Sequence, residues 1–446
     1  MDISNLIIQL QAKVNDLTYN QLAVAKSIEL LKTGQVNYVD DISELPAATV
    51  SNGYMYYIPS LGIYYSNGTT WTTIDPIVYN NSAWAWGYND RGQLGDNTTV
   101  NKSSPISVIG GFTDWCQISA GFCRTSLGVR QNGTAWGWGD NDTFGQLGDN
   151  STVNKSSPVS VVGGFTDWCQ VSSGNLHSLG VRTNGTAWAW GQNNRGQLGD
   201  NTGGPGVLKS SPVSVVGGFT NWCQISAGVE QSLAVRTNGT AWAWGSGYRG
   251  QLGDNTTASK SSPVSVVGGF TDWCQVSAGS DFSLGVRQNG TAWAWGRGSL
   301  GVLGNNYTGA DQQSPVSVIG GFTDWCQISA GTNHSVAVRT TGTAWAWGLN
   351  SYGRLGDNTT VNKSSPVSVV GGFTDWCQIG AGKDHSLAVR TNGTAWSWGQ
   401  TKYWGQLGTN SDVTRSSPVS VIGGFTDWCQ ISAGNRKSLA IRSTLG

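Results

Sequence analysis

The sequence predicts an all-β chain: a seven-bladed β-propeller of four-stranded blades, closed by pairing of its N- and C-terminal strands. Three recurring signatures and the two ends of the array predict it. A tryptophan pair recurs seven times, as Trp84/Trp86, Trp136/Trp138, Trp188/Trp190, Trp242/Trp244, Trp293/Trp295, Trp345/Trp347 and Trp396/Trp398. The block GGFTDWCQISAG, first seen at Gly110–Gly121, and the run SLxVR, first seen at Ser126–Arg130, recur with it. A spacing of 51–54 residues between copies marks a propeller or a solenoid.

Each unit reads as four short strands. SLAVR and TAWAWG alternate with period two, and the TNG or QNG between them is a tight hairpin signal. PVSVV opens on a proline suited to a strand start, and CQISAG is read as the fourth strand. The first tryptophan strand, NSAWAWG, has no SLxVR run before it, and the last such run, SLAIRSTLG, has no tryptophan strand after it. Pairing Leu439–Arg442 with Ala83–Trp86 completes the seventh hairpin and seals a ring. A solenoid needs polar capping repeats instead, and neither end reads as one. Within TAWAWG the tryptophans stand at i and i+2 and share a face. Burying one against the next blade removes ~200 Å² from water, worth at most roughly 5 kcal/mol.

The stretch AGTNHSVAVRTTGTAWAWGLNSYGRLGDN at Ala330–Asn358 resembles the regulator of chromosome condensation repeat family, through G-x-x-H-S, V-R, W-x-W-G and G-x-L-G in order. Seven copies cover residues 80–446. The resemblance implies a seven-bladed propeller with terminal closure. It implies no single activity, because propellers host many. His177, His334 and His385 fall on the family's G-x-x-H position, where other copies carry Thr125, Gln231, Phe282 and Lys437. A position that varies so widely is not read as catalytic or metal-binding.

Residues 1–33 predict a coiled-coil oligomerisation helix. Ile3, Ile7, Leu10, Val14, Leu17, Gln21, Val24, Ile28 and Leu31 follow a 4-3 spacing over four heptads. Ile and Val at one core position favour a dimer, and Leu6 widens the stripe toward a trimer. Residues 34–79 read as a small β-rich attachment module. Its pattern of LP, NG, YY and W resembles modules near the N-termini of bacteriophage tail and fibre proteins.

Lys plus Arg and Asp plus Glu both number 26, and only 12% of residues are charged. No electrostatic footprint for nucleic acid results. No apolar run suits a membrane span and no signal peptide is read, so assembly in a cytoplasm is expected. The repeat cysteines (Cys116, Cys169, Cys223, Cys274, Cys326, Cys377 and Cys429) read as small buried hydrophobes rather than disulfides. Nucleophile elbows, P-loops and zinc motifs are not found. No catalytic residue, metal or cofactor is expected, and the chain is read as non-enzymatic.

Copy-to-copy differences should gather at one end of the blades. Strands alternate in direction, so the loops after AG and after WG, and the DNTTVNK loop, share one end, face X. The NG turns and GGFTDW corners share the other, face Y, which hardly varies. The variable set is Tyr88, Arg91, Phe122, Arg124, Phe144, His177, Arg195, Glu230, Tyr248, Arg249, Phe282, Arg297, His334, Tyr352, Asp384, His385, Tyr403, Trp404 and Arg436. Aromatics mixed with arginine are typical of recognition surfaces. The expected role is a virion structural protein, such as a bacteriophage tail fibre. It would bind a host cell-surface glycan or protein through face X, self-associate, and contact other virion proteins through residues 1–79. The alternative is a bacterial adhesion or scaffold propeller that binds a protein partner. Deleting residues 1–33 is expected to yield a monomer in sedimentation; an unchanged oligomer would contradict the coiled-coil reading.

Overall fold

A computed structural model of the chain describes residues 36–38, 55–58, 62–66, 71–74 and 79–445. The heptads of residues 3–31 lie outside the described residues. Among these, one 3-10 turn at Ser299–Gly301 is the sole helical element.

Four short strands form the small N-terminal sheet: β1 (Val36–Tyr38), β2 (Met55–Ile58), β3 (Gly62–Ser66) and β4 (Trp71–Ile74). β1 runs parallel to β2, and β2, β3 and β4 follow as antiparallel neighbours. These strands fall in a compact unit distinct from that of the propeller.

The propeller has seven four-stranded sheets. In the first blade the order from the axis outward is Trp115–Ala120, Thr125–Arg130, Ala135–Gly139 and Lys155–Ser160. The WCQISA strands touch one another in succession, and the last touches the first, so they line the axis. The segment read as a fourth strand is thus the innermost strand of the following blade. The closing sheet takes Trp428–Ala433 and Lys437–Leu445 from the C-terminus, and Tyr79–Gly87 and Lys102–Ser107 from the N-terminus. The two orphan strands do pair.

Neighbouring blades bury one another. Leu284, Val286, Ala292 and Ala294 of the fourth blade form one cluster with Trp325, Ile328 and Trp347 of the fifth. Leu387, Val389 and Ala395 do the same with Trp428, Ala440 and Trp86 across the closing blade. Within a blade, Trp115 and Trp138 meet edge-on at 5.7 Å. The residue beneath stays small because a Cβ on Gly128 would stand 2.6 Å from the Trp115 ring. The second tryptophan of each pair is fully buried, and its indole N–H needs an acceptor. Trp86 Nε1 and Ser438 Oγ both donate to the Gln406 carbonyl, at 2.9 and 2.8 Å. One carbonyl of the sixth blade therefore holds both terminal strands.

Side-chain amides stitch the inner strands into a ring. Gln117 Oε1 accepts from Val171 N at 2.9 Å, and Gln117 Nε2 donates to Val171 O at 3.0 Å. Gln170, Gln224, Gln275, Gln327 and Gln378 accept likewise from the next blade. Gln430 closes the circle onto Ile118 N at 2.9 Å. Serine hydroxyls form a second ring: Ser119 accepts from Ser173 N, and Ser432 from Ala120 N.

Face Y carries the same arginine–phenylalanine–aspartate trio in six of the seven blades. Arg130 lies 4.1 Å over Phe112 while its Nε donates to Asp114 at 2.8 Å. In the third blade Asn221 takes the aspartate's place under Arg236. The NG turns here need glycine: Gly133 has φ +72°, and a Cβ would lie 2.0 Å from Thr166 O.

The cysteines depart from expectation. Cys169, Cys274, Cys326, Cys377 and Cys429 are exposed, not buried. Trp168 pairs with Arg182 but Gln170 with Val181, so Cys169 is the extra residue of a β-bulge. A bulge re-aims its side chain out of the ladder's alternation.

Gly380 occupies the serine position in the sixth blade, and its Cβ site lies 3.6 Å from Ala433 N in open contact. Gly380→Ser is expected to complete the serine ring. One added hydrogen bond is worth about 1 kcal/mol, so the melting temperature rises by about 1–2 °C, while Gly380→Ala, lacking the hydroxyl, gains less. Thermal unfolding of the two variants checks this.

Candidate recognition face

The face-X loops are tied into one platform by backbone bonds. Tyr88 N donates to Arg436 O at 2.8 Å and Asp140 N to Arg124 O at 3.0 Å, joining the WG loop to the AG loop of its own blade. Phe122 N donates to Gly174 O at 3.0 Å, joining one blade to the next. A buried asparagine organises the long loop from inside. Asn89 Oδ1 accepts from Leu94 N at 2.9 Å, and Asn89 Nδ2 donates to Asp96 at 2.9 Å. Asn141, Asn193 and Asn350 repeat this. The Asp96 oxygens also accept from Thr98 and face Lys102 at 3.4 Å, so the DNTT loops spend their oxygens on their own turns.

The expected contact residues divide by burial. Arg195, Tyr248, Arg249, Tyr352 and Tyr403 are exposed. Tyr88, Arg91, Phe122, Arg124, Phe144, Glu230, Arg297, Trp404 and Arg436 are half-buried. His177, Phe282, His334, Asp384 and His385 are buried, and so cannot be surface contacts. Each of the three histidines, like Phe282, is the first residue of a second strand rather than part of a loop. His177 sits opposite Gly191, and its Nε2 reaches Ser232 Oγ of the next blade at 3.0 Å. His334 and His385 bond Ser386 and Ser438 in the same way. A Cβ on Gly382 would lie 2.7 Å from the His385 ring, so that glycine makes room for it. Asp384 is turned in by the buried Arg354, 3.0 Å away.

Two groups form on the surface. Tyr88 meets Trp404 edge-on at 4.4 Å, with Arg124 5.4 Å from the Tyr88 ring and Arg436 4.9 Å from the Trp404 ring. In the third and fourth blades Tyr248 donates to Asp281 at 2.7 Å, Arg297 pairs with Asp281, and Arg249 pairs with Asp311. Partial burial of its phenol, then the hydrogen bond to the Asp281 carboxylate, pushes the Tyr248 hydroxyl up to about 12. Arg195 faces Glu230 at 3.8 Å. Arg91, Phe122 and Phe144 join no ring stack or ion pair among the described residues.

No group of three or more His, Cys, Asp or Glu able to hold a metal ion occurs among the described residues. Burial pushes the thiol of half-buried Cys116 up to about 12, so it stays protonated at neutral pH. No helix among the described residues is long and apolar enough to cross a membrane.

The RCC1-like domain model matches residues 161–445, more than half of the chain. The chain belongs to the RCC1-like family. The regulator of chromosome condensation (RCC1) repeat model matches this RCC1-like chain at residues 80–122 and 132–181. It is 29% identical to the ultraviolet-B receptor UVR8 of Arabidopsis thaliana over 347 residues, 75% of this chain and 76% of that protein. It is 28% identical to the human E3 ubiquitin-protein ligase HERC2 over 365 residues, 76% of this chain but 7% of the ligase. The crystal structure of Prp20p from Saccharomyces cerevisiae, described with its binding to Gsp1p and histones, superposes with a TM-score of 0.72 at 20% identity. The match covers 83% of this chain and 93% of that one and establishes the shared fold.

The buried histidines of this RCC1-like propeller set an acid limit. Burial holds His177 and His385 at about 3, against 6.5 in the open chain, and His334 well below its ordinary value. Between those values the unfolded chain binds more protons than the native one, so stability is lost as pH falls from about 6.5 toward 3. Gln231 fills the same place in the third blade, donating to Gly279 O. Replacing His177 and His385 by Gln is therefore expected to flatten the fall in melting temperature between pH 6.5 and 4. An unchanged slope would contradict this.

Proposed function

We propose that this chain is a non-enzymatic recognition propeller that binds a protein partner through face X. The observation that carries it is the contrast between the ends. Face Y repeats one Arg–Phe–Asp trio nearly unchanged, whereas face X holds aromatic and arginine side chains that differ from blade to blade on a hydrogen-bonded platform. A rigid platform with rigid aromatic anchors loses little conformational entropy on binding. The relatives support a protein partner: Prp20p, which shares the fold, is described as binding Gsp1p and histones.

The scaffold alternative read from the sequence is the one these cellular relatives favour. The same role carried on a virion is the second reading, with residues 1–79 as attachment segment and the chain self-associated. The 4-3 spacing of residues 3–31 supports its self-association.

Capture of partners from the source organism's lysate tests the face. A variant with Tyr248, Tyr352 and Tyr403 changed to Ala is expected to bind at least tenfold more weakly, since such anchors are each worth about 1–2 kcal/mol or more. A variant with the exposed face-Y residues Thr183, Thr237 and Gln288 changed to Ala is expected to bind as the parent does. The reverse pattern would place recognition on face Y.

A further inference from the structure

Where the last blade meets the first, face X holds a cavity of about 80 Å³. One water needs roughly 10–15 Å³ of such space, so the cavity admits a carboxylate-sized group. Arg124, Lys383, Arg436 and Lys437 line it, and neither Asp nor Glu does. Arg124 has a carboxylate in reach, Asp90 at 3.1 Å. Among the described residues Arg436 and Lys383 form no salt bridge. Lys437, buried, spends its amine on the Cys123 and Thr125 carbonyls at 3.0 and 2.8 Å.

The wall is unfinished. Arg436 Nε is shut off from solvent with no hydrogen-bond partner; Asn435 Oδ1 is unpartnered too, but as an acceptor it calls for a donor rather than an oxyanion. Such atoms in a native fold call for a missing partner. A guanidinium N–H seeks an oxyanion, and a carboxylate matches its geometry.

Aromatic rings adjoin the cavity. Tyr88 lines it and stacks on Trp404. Tyr403, next in the chain, is 68% exposed and held at φ +71°, a region bulky residues rarely enter. Thr143 holds the same conformation, φ +73°, at the matching place of the first blade's loop, so the turn itself sets it and Tyr403 is presented by that turn. The seam is distinctive: Arg124 and Arg436 stand where the third, fourth and sixth blades carry Glu230, Asp281 and Asp384.

We propose that this cavity binds a carboxylate of an acidic segment on the protein partner, with Tyr403 and Trp404 receiving the side chains beside it. The proposal rests on the reading of face X as the recognition face. The complement is one of charge: Arg436 and Lys383, which form no salt bridge among the described residues, on one side, a carboxylate on the other.

The test uses the full chain and a fluorescein-labelled peptide of alternating Glu and Tyr, with a Gln–Tyr peptide as control, followed by fluorescence anisotropy. The Glu peptide is expected to bind and to weaken with salt. Arg436→Gln and Lys383→Gln are each expected to reduce affinity at least tenfold, with melting temperatures unchanged. Arg195→Gln, on the third blade's side of the face, is expected to have no effect. Failure of the parent to bind, equal binding of the Gln peptide, or equal loss in Arg195→Gln would overturn the proposal. So would binding of inorganic phosphate with no binding of the Glu peptide, or a dimer in sedimentation that Arg436→Gln dissolves. If lysate partners are lost with the tyrosine variant but the Glu peptide never binds, this pocket fails and the face-X reading stands. If the Glu peptide binds while lysate partners ignore face X, the wider reading fails.

Discussion

Seven glutamine amides, each bridging to the backbone of the next inner strand, hold the propeller as a circle rather than a row. The circle exists only because strands from the two chain ends share a sheet. Without that pairing the first and last blades expose edges with unpaired N–H and C=O groups, a liability for any sheet. Gln430 then has no Ile118 to meet, and the shared acceptor at Gln406, 320 residues from Trp86, holds one end instead of two. Each bond adds only about 1 kcal/mol net. Their effect is cooperative because none at the seam forms unless the ring is shut.

Closure also fixes what each end of the blades can do. The inner strands are locked by amides and serines, so the loops at their ends are positioned by the frame. On face Y the frame repeats one solution, an arginine held between a phenylalanine ring and an aspartate, or Asn221 in the third blade. On face X the demands are met below the surface, by Asn89 and its counterparts and by the ring of residues that includes His177, Gln231 and Lys437. The side chains above that layer bond mainly to one another, as Tyr248 does to Asp281 and Tyr88 to Trp404, and not to the frame. A binding surface can vary there without cost to the fold, which is how loops on rigid scaffolds come to carry function.

The architecture was legible because it is written seven times. The period gave the blade count, the unmatched halves at Ser82 and Ser438 gave the closure, and strand alternation sorted the loops to two ends. Burial within face X was not legible. His177, Phe282, His334 and His385 occupy a position that varies, and variation suggested exposure. Several side chains can reach the next blade from there: a histidine bonds a serine hydroxyl, Gln231 the Gly279 and Phe282 carbonyls, and Lys437 several more. The exposed cysteines were missed because the bulge after each WCQ tryptophan has no sequence mark beyond the repeat itself. The loop-organising asparagine could have been found. It stands two places after WG in YNDR, DNDTF, QNNR and LNSY, where a purely exposed loop would not repeat it.

The most direct test of closure is native-state hydrogen exchange resolved to single amides in Tyr79–Gly87 and Lys437–Leu445. Strands that complete a blade open only when the whole propeller opens. Their amides are therefore expected to exchange with the free energy of global unfolding, matching Trp222–Ala227 in the third blade. Exchange at the low free energy of frayed chain ends, with the other blades still protected, would contradict a ring sealed by its termini.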